Sequence, residues 1–331
     1  RGVGVEIGTT SKQSPLVLLE RVRYSQCSAK AEVITTFNEV SFNREYESIW
    51  AGSSSDAFFD GDLFDRCRTL NDPEFSASGR GNGKHYYTFG IDVGRHGAQS
   101  VVTVIKNNPQ PNGVGIKSVV NMLTFDSEHF EIQALEIKKA YMQYMPRQIA
   151  IDGNGLGTGL VDYLTTVTED RRTGDVYPAF GVSNDPKKEY SKIDHGGNVI
   201  KNILTIYKAD SEMNSVGYTN ILSQMGSGKL KFLIEERVAR GKLLATAQGR
   251  KLSPEERVDK LKPYVLTSIL KEELLNLTMK NSQKFGLERI NKRVEKDKVS
   301  ALMYGLYLIK EIEDEERNRK RSRVTDMMFF G

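Results

Sequence analysis

A short strand that ends in an acid and runs into glycines is the feature that most constrains what this sequence can form. In GIDVGRHGAQSVVTVI, residues 90–105, the aromatic and β-branched run up to Ile91 is typical of a strand, and Gly94 predicts the turn that follows. Asp92 therefore falls at the C-terminal end of a strand. Because side chains alternate across a strand, Asp92 shares its face with Gly90, which leaves room beside the carboxylate. The alternative is an Asp that only begins a turn.

A second strand with the same ending occurs in RQIAIDGNGLGTGLVDYL, residues 147–164, where Asp152 is the last strand residue before the glycines. Residues 100–106 and 116–125 predict two further strands, which complete a three-strand meander, and a helical pattern then runs up to Pro146. A helical crossover to a parallel strand brings both acids to the same edge of one sheet.

The third acid begins a long helical pattern near the C-terminus, residues 292–323. Asp297, Ala301 and Gly305 fall at i, i+4 and i+8, so two small residues line the face below the carboxylate and allow the helix to lie close against a sheet. Glu295 precedes the apolar stripe, so Asp297 is the expected member of the site. The alternative is a first-turn acid that only favours the helix dipole.

Three carboxylates brought together need a cation. Oxygen ligands with no His or Cys among them favour Mg²⁺ or Mn²⁺ over zinc. Two such ions about 4 Å apart activate water and stabilise the leaving oxygen in phosphodiester hydrolysis. The sequence therefore predicts a two-ion site held by Asp92, Asp152 and Asp297.

The spacing of the glycines argues against a nucleotide-binding loop at two places in the sequence. Leu160 stands where the last glycine of a dinucleotide loop belongs, and MGSGKLKF, around Lys229, lacks the spacing and the Ser or Thr of a phosphate loop.

Length and composition place the chain among globular proteins. Its 331 residues correspond to roughly two domains, and 38% apolar residues suffice for a core. Cys27 and Cys67 form no CxxC pair, which fits a reducing cytosol. No apolar run has membrane-spanning length, so no membrane partner is expected. The chain opens at Arg1 without a Met, as a piece of a longer polypeptide would.

Three regions are expected along the chain. The Gly- and Ser-rich stretch 71–84 predicts a linker between residues 1–70 and a main domain at residues 85–331. In the main domain, residues 176–182 predict a fifth strand and residues 198–207 a helix. Residues 210–285 predict a mainly helical insertion before the last helix. The fold class expected is α/β, a mixed five-stranded sheet flanked by helices.

The order of these elements and acids resembles the RNase H-like fold. Three segments resemble the acidic motifs of the nuclease domain of the large terminase subunit of tailed phages: IDVGRHGAQSVV, IAIDGNGLGTGLVDYL and KDKVSALMYGLYLI. The resemblance runs from Tyr86 to the last helix. FNREYESIWAGSSSDAFF, residues 42–59, is similar to the segment that joins the family's packaging ATPase to its nuclease, so residues 1–70 are interpreted as the end of the ATPase region. Many members carry another acid in the region that Gln99 occupies in this chain.

This resemblance implies a metal-dependent endonuclease that cuts double-stranded DNA concatemers during phage genome packaging. It also implies a portal protein and a small terminase subunit as partners, and the cytoplasm of the bacterial host as the location. ATP-driven translocation is not assigned to this chain, because it carries no phosphate-loop motif.

DNA contacts are expected from basic residues near the sheet-edge loops and around the third acid, and the alternative for each is a solvated side chain. The candidates are Arg95, Lys187, Lys188, Lys292, Arg293 and Lys298. The basic tail at residues 317–323 binds DNA or a partner, or is a solvated helix end.

Two other classes of function remain open. GIDVGRHGAQSVV also resembles the first phosphate motif of actin-like and sugar-kinase ATPases, although Arg95 and His96 are bulky where those proteins carry small hydroxyl residues. The third class is a noncatalytic module that docks to DNA or to the portal.

Overall fold

The structure, a computed structural model, describes most of the chain after residue 56. The ranges are residues 57–79, 85–94, 99–111, 113–126, 129–155, 157–190, 192, 197–280 and 286–329. The expectations for residues 1–56, and those that rest on Arg95 and His96, lie outside these residues.

This part of the chain contains both helices and strands. The helices are α1 (Gly61–Arg66), α2 (Phe130–Tyr144), α3 (Gly157–Leu164), α4 (Ser211–Gly226), α5 (Glu236–Ala245), α6 (Ala247–Lys251), α7 (Pro254–Leu275) and α8 (Asp297–Phe329). The strands are β1 (Arg68–Leu70), β2 (Tyr86–Asp92), β3 (Gln99–Asn108), β4 (Ile116–Asp126), β5 (Gln148–Asp152), β6 (Thr168–Asp170), β7 (Asp175–Tyr177), β8 (Ala179–Val182), β9 (Val199–Tyr207), β10 (Leu230–Leu233), β11 (Leu277–Met279) and β12 (Leu287–Arg289).

One sheet of eight strands organises the described residues, in the order β1-β10-β4-β3-β2-β5-β9-β8. Its pairings are parallel except for those of β3, which is antiparallel to both β2 and β4. Every strand but β3 therefore ends at the same edge of the sheet. We call this edge the carboxyl edge.

Alternation along the strands gives the sheet two buried faces. Phe89 and Ile91 of β2 pack with α2 and α3 on one face, in a core that also holds Ile149 and Ile151 of β5. The opposite face is covered by apolar side chains of α4, α7 and α8. Gly90 belongs to this second face, as the sequence predicts.

The mixed α/β sheet flanked by helices is confirmed, but the sheet has eight strands where five were expected. The meander β2-β3-β4 and the parallel strand β5 lie where the sequence predicts them. The predicted fifth strand is divided at Pro178 into β7, which pairs with β6 in a small hairpin, and β8, which joins the main sheet.

The predicted helix over residues 198–207 is wrong, because this segment is strand β9. Strand β9 lies between the parallel strands β5 and β8, where both faces are covered. Asn202 has a left-handed φ of 54° and interrupts the side-chain alternation. Apolar residues on both sides of this irregularity produced a spacing that imitates a helix.

The insertion at residues 210–285 is mainly helical, as expected, but it also supplies β10 to the main sheet. Its two predicted helical runs form the single helix α7. The helix begins with a capping box in which the Ser253 hydroxyl accepts from the Glu256 amide and the Glu256 carboxylate accepts from the Ser253 amide.

The expected boundary at residues 71–84 does not separate the described residues before it from the sheet. Strand β1 pairs with β10, and the Phe64 ring stacks on Phe232 with centroids 4.3 Å apart. Within the stretch expected to be a linker, the Glu74 amide donates to Val120 and the Ala77 amide to Gln143. Residues 57–79 are therefore part of the same compact body.

No helix in the described part of the chain is long and apolar enough to cross a membrane.

Candidate active site

Asp92 and Asp152 end two strands that are neighbours in the sheet. Strands β2 and β5 are parallel, and their register aligns Ile91 with Ile151. The next residue of each strand is an Asp, so both carboxylates emerge side by side at the carboxyl edge. This juxtaposition is the one that the sequence predicts from the crossover.

Helix α8 brings the third acid to this edge because it packs very closely on β2. A Cβ added to Gly90 would lie 2.0 Å from the Ala301 carbonyl oxygen and 2.5 Å from the Gly305 amide nitrogen. Only glycine fits at Gly90, and the small residues of α8 face it. Asp297 lies one helical turn, about 6 Å, before Ala301, and Asp92 lies about 7 Å beyond Gly90.

The electrostatics of the three acids show that they share one environment. Burial, together with the charges of Asp297 and Asp152, raises the pKa of Asp92 well above its ordinary value, and Lys296 opposes this shift. Burial also raises the pKa of Asp297. Like charges in a partly desolvated site disfavour ionisation, so a proton or a cation must compensate them.

The chemistry of these donors suits a hard divalent cation, since all three are carboxylates. As the side chains stand, the described residues contain no group of three or more His, Cys, Asp or Glu side chains close enough to hold a metal ion. The three carboxylates therefore suit a divalent cation by their charge and their oxygen donors. To form a coordination shell, their side chains have to turn toward one another.

Two groups lie close to the Asp152 carboxylate. The Asn154 backbone amide donates to its carboxylate at 2.9 Å, and the Tyr304 phenol of α8 lies close enough for the Asp152 carboxylate to influence its pKa. Tyr304 in turn stacks on Tyr207, with centroids 6.3 Å apart and planes 9° from parallel. Burial and the charges of Asp152 and Asp92 raise the pKa of Tyr304, so it remains a protonated donor.

Sequence reasoning missed Tyr304, although a signal for it existed. It lies seven residues after Asp297, which is two turns along the same face of α8. Tyr218 of α4 was also missed. Burial and the charge of Asp92 raise its pKa to about 12, which places its phenol near the first acid.

Glu273 of α7 is a fourth acid close to the site, and it organises the start of α8. Its side chain is 2% exposed. Its carboxylate accepts hydrogen bonds from the backbone amides of Lys298 at 2.8 Å and Val299 at 3.1 Å, and from the Lys298 ammonium at 3.1 Å. Burial raises its pKa to about 7, against the lowering effect of Lys298. Glu273 thus caps the helix immediately after Asp297.

Glu273 occupies an apolar position of the α7 pattern, which is a signal that the sequence does carry. One face of the helical pattern has the spacing i, i+4, i+7 and i+11, and its residues are Leu266, Leu270, Glu273 and Leu277. An acid in such a stripe indicates a buried carboxylate with a partner.

Lys298 is buried, whereas the sequence predicts that it contacts DNA. Its ammonium contacts Glu273 and, at 3.3 Å, the Gln99 side-chain oxygen. A buried and paired ammonium does not face solvent in this structure, which argues against a direct contact of Lys298 with phosphate. Its neighbour Lys296 is exposed beside the carboxylates.

The other predicted DNA contacts lie on the surface. Lys187 and Lys188 follow β8 at the carboxyl edge, and Lys292 and Arg293 precede α8; all four are exposed. Their contact with DNA stays a prediction.

We expect Glu273→Ala to lower the stability of the protein by about 3–5 kcal/mol, because Lys298 is left buried without its counter-charge. Glu273→Gln keeps an acceptor for the α8 amides and should fold. If Glu273 positions Asp297, the Mg²⁺ concentration that half-saturates DNA cleavage should rise about 10–100-fold in Glu273→Gln.

The matched control is Asp259→Asn, which removes an exposed charge from the same helix. An unchanged half-saturating Mg²⁺ concentration in a folded Glu273→Gln would show that Glu273 has a structural role only.

Comparison with known proteins gives structural matches alone. No family model matches the chain, and no curated protein matches it. The solved structures that it resembles include the large terminase nuclease from thermophilic phage G20c with bound magnesium, at 13% identity over 76% of this chain and 97% of that chain, with a TM-score of 0.44.

Two further matches are nuclease domains of large terminases from other phages. The Thermus phage P74-26 large terminase nuclease domain is 13% identical over 73% of this chain and 93% of that chain, with a TM-score of 0.40. The nuclease domain of the large terminase subunit gp2 of bacterial virus Sf6 is 11% identical over 76% of this chain and 98% of that chain, with a TM-score of 0.38. Identities this low transfer no residue roles, so the roles of Asp92, Asp152 and Asp297 rest on their positions in this chain.

Proposed function

We propose that this chain is a metal-dependent endonuclease that cuts double-stranded DNA concatemers during phage genome packaging. The observation that carries the proposal is the meeting of Asp92, Asp152 and Asp297 at one edge of the sheet. The cofactor is Mg²⁺ or Mn²⁺, bound as two ions. The partners are double-stranded DNA, a portal protein and a small terminase subunit, and the protein works in the cytoplasm of a bacterial host.

Each residue near the edge has a distinct task in this proposal. Asp92, Asp152 and Asp297 hold the ions, which when bound supply charge stabilisation to the phosphate and activate water. Tyr304 places its phenol near the Asp152 carboxylate, where its hydroxyl can donate to that carboxylate. Glu273 fixes the first turn of α8 and with it the position of Asp297. Lys296 offers an exposed positive charge to the DNA backbone beside the carboxylates.

Calorimetric titration with Mn²⁺ tests the metal site without relying on turnover. Wild-type protein should bind Mn²⁺, and Asp92→Asn should show no binding heat, because the variant lacks a formal charge at the centre of the cluster. Equal binding by the two proteins would exclude this metal site. Thermal stabilisation by ATP would instead support the kinase-like class.

A further inference from the structure

The segment from Lys229 to Lys262 concentrates positive charge. It contains ten Lys or Arg and five Asp or Glu, whereas the formal net charge of the whole chain is +4. The excess of five positive charges in this segment alone is therefore larger than the net positive charge of the protein. Such a concentration indicates a surface for a polyanion rather than a general property of the chain.

The topology directs the start of this segment toward the carboxyl edge. Strand β10 runs in the same direction as β2, because β10 is parallel to β4 and β4 is separated from β2 by the single reversed strand β3. The chain therefore leaves β10 in the direction of the edge that carries Asp92 and enters α5 two residues later. Strand β10 ends about four residues, or about 13 Å, before the level of Asp92, because Leu230 pairs with Lys117 and Asp92 is level with Thr124. Three strand positions separate β10 from β2, which is about 14 Å at about 4.8 Å per strand.

Helices α5 and α6 contribute little to the core. Ala239 is the buried residue of α5 and Gly249 that of α6. Arg237, Arg240, Arg250 and Lys251 are all exposed. Packing against the core therefore accounts for the position of α5 and α6, but it does not account for their basic residues.

The basic side chains differ in their present partners. Arg240 pairs with Glu236, and the Arg250 guanidinium donates to the carbonyls of Leu244 and Ala245. Among the residues that the structure describes, Arg237 and Lys251 take part in no ion pair. They are the two that most need an external anion.

We propose that the exposed surface of α5 and α6, centred on Arg237 and Lys251, binds the phosphate backbone of duplex DNA whose scissile phosphate lies at the three Asp residues. This inference rests on the proposed nuclease function. Helix α7 begins three residues after Lys251 and carries Glu273, which contacts the first turn of α8, about 28 Å further along its axis. That length corresponds to about eight base pairs at about 3.4 Å each, less than one helical turn, so one duplex can reach both places. The surface then sets the affinity for DNA and the orientation of the duplex, while the carboxylates act in cleavage.

The test compares two double variants of equal charge loss. Arg237→Gln with Lys251→Gln alters the proposed surface. Lys201→Gln with Lys310→Gln is the control, since Lys201 is near the start of β9 and Lys310 lies about 20 Å along α8 from Asp297, both toward the other edge of the sheet. Binding of a labelled duplex of about three helical turns is measured by fluorescence anisotropy in chelator, across a salt series.

The first double variant should bind on the order of tenfold more weakly at low salt, and the slope of log affinity against log salt should flatten by about 1.8, or about 0.9 for each phosphate contact. The control should stay within about twofold of wild type. Equal effects of the two doubles, or an unchanged slope in the first, would overturn the inference.

Cleavage of saturating plasmid, measured in parallel, separates the two proposals. If wild type binds the duplex through this surface but never cuts, the nuclease function fails and the DNA surface stands. If wild type cuts and the first double variant binds as wild type does, only the surface assignment fails.

Discussion

Asp92→Asn and Asp152→Asn should each abolish metal-supported DNA cleavage, with a fall in rate of about 10²–10³-fold or more, as is typical when a group that stabilises charge in the transition state is removed. Asn keeps the shape of Asp but has no formal charge, so it does not hold a hard cation at the edge of β2 and β5. Plasmid nicking and linearisation, followed over time in Mg²⁺, measures the loss.

The control for this pair is Asp162→Asn, which removes an exposed carboxylate from α3 and should cut at the wild-type rate. Asp92→Asn should also melt at a higher temperature than wild type when metal is absent. The raised pKa of Asp92 means that the folded state favours the protonated acid, so the ionised carboxylate costs stability as pH rises through that pKa. Wild-type cleavage by Asp152→Asn would remove the second acid from the site.

Asp297→Ala should abolish or severely reduce Mg²⁺-supported cleavage, whereas Glu295→Ala should leave most of it intact. Asp297 begins α8, is partly buried and adds its charge to that felt by Asp92. Glu295 is exposed, and its carboxylate lies 2.9 Å from Arg289. The expected loss in Asp297→Ala is about 10²-fold or more, since the variant lacks a ligand rather than a neighbour of one.

Single-turnover cleavage of a labelled duplex distinguishes the two variants, and circular dichroism verifies that α8 is intact in each. Reversed phenotypes would mean that the third corner of the site is Glu295 and that α8 presents a different face to the sheet than Gly90 and Ala301 indicate.

The parts of the site that were predictable from sequence are those with a local cause. Asp92 and Asp152 each follow an apolar strand and precede glycines, so both the strand end and the acid are visible in a few residues. Asp297 was predicted because Ala301 and Gly305 repeat at its helical spacing, and α8 does approach Gly90 through these two small residues. Local sequence patterns of this kind are retained in the folded structure.

The parts that were not predictable depend on partners far away in the chain. Strand β9 lacks clean alternation because it is buried on both faces and distorted at Asn202, and its neighbours β5 and β8 decide its conformation. Strands β1 and β10 are too short to be recognised alone. Glu273 acts on α8 from another helix, and only the folded chain brings its carboxylate to Lys298.

Cleavage of supercoiled plasmid by this chain, with Mg²⁺, Mn²⁺, Ca²⁺ or chelator, is the most direct test of the central claim that the three Asp residues form a metal-dependent nuclease. We expect nicked and linear products in Mg²⁺ and Mn²⁺ and none in chelator, with Ca²⁺ as the comparison for a larger ion that takes more ligands. The same digest with Asp92→Asn should leave the plasmid supercoiled under every condition. Cleavage that persists in chelator, or that Asp92→Asn performs as fast as wild type, would contradict the claim.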